Sequence, residues 1–79
     1  MVTLKLIELN NDMVIYEYYP EDKREYPGKV ALDLKTKERI FVQDSPEDFN
    51  RIYAAHAIRK VEEYYLNGEF KESGLVAWW

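Results

Sequence analysis

The side chains of this sequence that can do chemistry are few and widely spaced. His56 is the single histidine, and there is no cysteine. That removes thiolate catalysis, a disulfide framework and the usual zinc-finger patterns together. A metal would need one imidazole plus carboxylates gathered from separate segments. On a helix, residue 56 falls beside Phe49, Ile52, Arg59, Lys60 and Glu63, away from the apolar stripe. We therefore expect a surface or interface histidine, because a general base needs a positioned partner and a pocket. A small ligand-binding or catalytic site centred on His56 is the third of three functional readings. Ser45 sits where a helix cap belongs and not in a nucleophile elbow. Gly28, Gly68 and Gly74 are too far apart to cradle a phosphate. The acid pairs Glu47-Asp48 and Glu62-Glu63 are adjacent on a helix and point in different directions, so neither forms an acid and base dyad. No catalytic, cofactor-binding or metal-ligating residue is assigned, and no cofactor is expected.

The informative constellation is aromatic. Tyr16, Tyr18, Phe41 and Trp78 are expected on the sheet face opposite the core, alongside Ile7, Leu9 and Ala31. One helix covers one face of a small sheet, so a second apolar face is left wet in a lone chain. The leading expectation is accordingly a non-enzymatic protein-interaction module, self-associating as a homodimer or binding another protein, with those four aromatics as its interface. The second reading is single-stranded nucleic-acid binding, with bases stacked on the same aromatics and phosphates met by Lys29, Lys35, Lys37 and Arg39. Eleven basic against fifteen acidic residues, a net charge of −4, disfavour nucleic acid or anionic lipid as a partner. Solvated hairpin lysines that protect sheet edges account for the basic residues equally well.

Periodicity supplies the framework that holds these residues. Val2, Leu4 and Leu6 alternate with Thr3 and Lys5, and Ile7 and Leu9 then reverse the phase, which predicts a first strand with a bulge near Leu6-Ile7. Asn10-Asn11-Asp12 is a turn leading into a second strand from Met13 to Tyr19, closed by Pro20. The charged, proline-bounded segment 20–28 reads as an exposed loop. Lys29 to Leu34 and Arg39 to Gln43 form a second hairpin through Lys35-Thr36-Lys37-Glu38. Ser45, Pro46, Glu47 and Asp48 mark a helix start, with Ser45 as cap. Tyr53, Ala54, Ala57, Ile58, Val61, Tyr64 and Tyr65 then form one stripe, and Asn67-Gly68 stops the helix. Leu75 to Trp79 reads as a final strand inside the sheet or covered on both faces.

The fold expected is α+β: a curved antiparallel sheet in the order ββββαβ, with one long helix over roughly residues 46–67 across one face. Its core comprises Leu4, Leu6, Ile15, Val30, Leu32, Ile40, Val42, Tyr53, Ala57, Ile58, Val61, Tyr64, Leu75 and Ala77. At 79 residues this is one domain, 1–79, with a thin core that relies on large rings. The amino terminus alternates and is not read as a signal peptide, and no run is long and apolar enough for a membrane span, so the cytoplasm is the expected location. The runs Gly28-Lys29-Val30-Ala31-Leu32-Asp33 and Gly74-Leu75-Val76-Ala77-Trp78-Trp79, with the helix around Tyr53-Ala54-Ala55-His56-Ala57, resemble small uncharacterised bacterial proteins of unknown function. That resemblance implies a compact bacterial α+β domain and carries no activity or functional residue with it.

Overall fold

The computed structural model describes residues 1–78. Its strands are β1 (Val2–Leu9), β2 (Met13–Pro20), β3 (Gly28–Asp33), β4 (Arg39–Gln43) and β5 (Ser73–Val76). A 3-10 turn, Phe49–Arg51, leads into the helix α1 (Ile52–Asn67) between β4 and β5. All strand pairs are antiparallel, and the sheet order is β4-β3-β2-β1-β5. The fold class and element order are those expected.

The first hairpin forms because Asn10 Oδ1 accepts the amides of Asp12 and Met13, closing the turn locally. The bulge anticipated in β1 is present: the register with β2 shifts between Leu6 and Glu8. Past it β1 loses its outer neighbour, the last tie being the Leu6 amide to the Glu72 carbonyl at 2.8 Å.

Core residues face α1 from the sheet. Val2 and Leu4 of β1, Val14, Tyr16 and Tyr18 of β2, and Val30 and Leu32 of β3 pack against Ala54, Ala57, Ile58, Val61 and Tyr64. In β2 this reverses the expected phase. Tyr16 and Tyr18 are wholly buried, and Ile15 lies on the opposite face, partly exposed. Both phases of β2 are apolar enough to be core, but one contains Glu17, and a carboxylate without a buried partner stays in water. The same reversal occurs in β4, where Phe41 stands opposite Val30 on the helix side. Ile40 faces away, and Val42, the extra residue where the register shifts, is half-exposed.

The helix begins later than expected. Asn50 and Arg51 both adopt left-handed geometry, with φ of 58° and 56°, so continuous helix is possible only from Ile52. The cap is supplied by Asp48, whose Oδ1 and Oδ2 accept the Tyr53 and Ala54 amides, each at 2.9 Å. Ser45 instead donates to the Tyr26 carbonyl at 2.6 Å and accepts the Glu47 amide, fastening the loop before β3 to the segment after β4. At the other end Gly68, φ 79°, closes the helix in the left-handed position foreseen for it.

The last strand is shorter and earlier than expected. It is an edge strand paired with β1 alone, Gly74 opposite Leu4. Leu75 is 57% exposed and Ala77 is exposed, so neither is core. Trp79, the final residue of the expected strand, lies outside the described residues. Gly74 is where the chain must be bare, because a Cβ there would collide with the Tyr64 hydroxyl. Among the described residues, no helix is long and apolar enough to cross a membrane.

Candidate functional site

The four aromatics expected on an open face are all sheltered by the chain itself. Tyr16 and Tyr18 lie beneath α1 with their polar tips satisfied at the rim of the core. Tyr16 donates to the Lys71 carbonyl at 2.5 Å; Tyr18 donates to Asp48 Oδ2 at 3.1 Å and accepts the Ser45 amide at 3.2 Å. Burial disfavours the phenolate, so Tyr16 is held well above the ordinary tyrosine range and Tyr18 is pushed up to about 12. Phe41 packs on the core, with the Arg51 guanidinium 4.8 Å above its ring and Arg51 itself bonded to Asp44. Trp78 folds back over the helix, stacked on His56 at 3.8 Å with 10° between planes, and meets Tyr53 edge-on at 5.4 Å. The expected aromatic interface is therefore corrected: Tyr16, Tyr18, Phe41 and Trp78 belong to the helix side.

His56 is partly buried by that stack and lines neither the cleft beside β1 and Arg24 nor the one between Leu32 and Leu66. The nearest connected polar cluster lies beyond Tyr53, whose hydroxyl donates to Glu21 Oε2 at 2.9 Å. The same oxygen takes the amino-terminal ammonium at 2.7 Å, and both contacts hold the Glu21 carboxyl below the usual carboxylate range. Among the described residues, no group of three His, Asp or Glu side chains is gathered to hold a metal ion.

What stays open is the sheet face away from α1. Across β2, β3 and β4 the register sets Ile15, Ala31 and Ile40 side by side as an apolar row. The next row reads Lys5, Glu17, Lys29 and Gln43 across β1 to β4, alternating in sign through its first three members. Ala31 is wholly buried between its two partly exposed isoleucine neighbours, and Glu8 of β1 stands beside Ile15 at the end of the row. Towards the other end Thr3 and Tyr19 are paired, with Leu75 beside Thr3. Tyr19 belongs to this face yet is nearly buried, because the loop after β2 bends over it and sets the Arg24 guanidinium 4.4 Å above its ring. Its hydroxyl donates to Glu17 Oε1 at 2.5 Å, and burial together with that carboxylate pushes it up to about 12.

The basic residues of the second hairpin are largely occupied within the chain. Arg39 makes a fork with both oxygens of Glu62, at 2.8 and 2.7 Å, Lys35 reaches Asp12 at 3.0 Å, and Lys37 lies 4.7 Å from the centre of the Tyr65 ring. A second exposed patch lies at the helix start: Phe49, in the turn before α1, is 79% exposed and Ile52, the first residue of α1, is half-exposed.

The chain is thus an α+β protein with one sheet face roofed by a helix and the other crossed only by the loop after β2. No protein-family profile, no curated protein and no solved structure matches it.

Proposed function

We propose that this chain is a non-enzymatic protein-interaction module whose recognition surface is the sheet face opposite α1. The single observation that carries this reading is the row Ile15, Ala31 and Ile40, contiguous across three strands and bordered on β1 by Glu8, whose two isoleucines are partly exposed and have no helix over them among the described residues. A sheet normally buries one face and solvates the other, and the solvated face is normally polar. Here the row on one side of the apolar one supplies Lys5, Glu17 and Lys29, and the row on the other Met13 and Asp33, so charge borders the apolar strip. The reading by nucleic-acid stacking loses its platform, since Tyr16 and Tyr18 lie under the helix and three of its four hairpin cations have partners inside the chain. Phe49 and Ile52 favour a competing surface at the helix start, and one experiment separates the two. A photocrosslinking amino acid is placed singly at Ile40, Ile52 or Leu66, and the protein is irradiated in the cells that make it. We expect discrete covalent adducts from position 40 and none from 52 or 66. Adducts from position 52 alone would move the interface to the helix, and none from any position would overturn the interaction reading.

A further inference from the structure

We infer that the cleft between the β3–β4 hairpin and the last turns of α1 binds a small carboxylic acid with a short apolar tail. It lies apart from the sheet face proposed for a protein partner, and either site can fail without the other. Leu32, buried in β3, lies at its base, and Lys37, Glu62, Tyr65 and Leu66 line the rest. Its volume of about 250 Å³ falls just below the range of roughly 300–1,000 Å³ usual for drug-sized ligands, so it admits a tail of a few carbons and not a nucleotide. Leu66 is 80% exposed, and a tail laid between it and Leu32 withdraws that apolar surface from water.

The charge at the mouth selects the head group. Arg39 holds both oxygens of Glu62, and Arg39 and Arg59 together keep this carboxyl below its usual range, so its negative charge is already answered. Lys37 has no carboxylate partner among the described residues. Its ammonium donates to the Leu34 carbonyl and lies over the Tyr65 ring. That carbonyl takes one of its three N–H donors, and an incoming carboxylate meets the others. The backbone at Lys37 is unusual for a lysine. It is left-handed, φ 65°, with its amide on the Asp33 carbonyl at 2.8 Å. At such a position in a hairpin glycine is the ordinary residue, because a side chain is strained there. Lysine thus holds the mouth of the cleft against the preference of its own backbone, and strain of this kind gathers at functional sites.

The test is a nuclear magnetic resonance titration of the isotope-labelled protein with 4-methylpentanoate. Amide signals of Leu32, Lys37, Tyr65 and Leu66 should move and saturate, while those of Ile15, Ala31 and Ile40 stay in place. The neutral isostere 4-methylpentanamide should bind about tenfold more weakly, since it forgoes a hydrogen bond between charged groups. Lys37→Gly removes the ammonium and relieves the backbone, so it should keep the wild-type circular dichroism spectrum and lose about tenfold in affinity for the acid. Lys37→Met, which keeps the apolar stem over Tyr65, is the second variant and should lose as much. Equal affinity for acid and amide, or undiminished binding by both variants, would overturn the assigned ligand class. No saturable shift at millimolar acid would overturn the site. N-acetylalanyl-leucine offers the same chemistry at the end of a peptide chain, and its binding more tightly than the free acid would overturn a free acid as the source.

Discussion

Tyr18 shows how one side chain ties distant parts of this chain together. Its ring lies over Gly28, its cross-strand partner in β3, so closely that a Cβ at residue 28 would penetrate it. Its hydroxyl meanwhile bridges Asp48, the cap of α1, and the amide of Ser45. Glycine at position 28 is thus required by contact, not by backbone angle. Substituting Gly28→Ala forces either the ring or the strand to move, and overpacking of this kind costs about 1–3 kcal/mol. The substitution should lower the midpoint of urea unfolding with an unchanged slope, and a midpoint equal to wild type would show that the ring has free space to yield. The same residue explains the miss at the candidate site. A tyrosine in a strand reads equally as a core ring with a satisfied tip or as an exposed platform, and only the fixed position of Asp48 and Ser45 decides between them.

Among the elements, legibility tracked how local the determining physics is. The Asn10 turn, the bulge after Leu6 and the Gly68 stop are each made by groups within a few residues, and each was readable. The face of β2 was also readable, through Glu17 in one phase, but the isoleucine of that phase outweighed it. The face of β4 was not. Its more apolar phase, Ile40 and Val42, turned outward because Phe41 is held under Arg51, a contact made ten residues away. The late start of α1 depends on left-handed Asn50 and Arg51, which no capping pattern announces. The short edge strand β5 is held from beyond its own end, where Trp78 clamps the chain onto α1 through His56 and Tyr53. Each aromatic pair is worth about 0.5–1.5 kcal/mol beyond its buried area. Trp78→Ala should therefore release β5 locally, and the Leu6 amide, bonded to the Glu72 carbonyl, should exchange about tenfold faster with deuterium. Amides between β2 and β3 should keep their protection. Equal acceleration in both pairs of strands would mean that β5 opens only with the whole fold.

For the molecule as a whole, the buried phenols set an alkaline limit. Tyr16 and Tyr64 are raised by burial, and Tyr18 and Tyr19 reach about 12, against an ordinary value near 10. The unfolded chain therefore releases these protons at lower pH than the folded one. A group raised on folding stabilises the fold fully below its unfolded value, and that contribution drains away as pH climbs towards the folded value. Stability should accordingly be flat up to about pH 10 and fall between about pH 10 and 12, the fold giving way before Tyr16 ionises in place. Phenolate absorbance should then show a late, cooperative step coincident with loss of circular dichroism. Tyr16→Phe separates this from general alkaline damage. It gives up the hydrogen bond to the Lys71 carbonyl, so it should be less stable than wild type at neutral pH by about 1 kcal/mol. With one fewer buried proton to lose, its stability should fall less steeply above pH 10, and the two curves should converge. Parallel curves through that range would mean that ionisation of Tyr16 takes no part in alkaline unfolding.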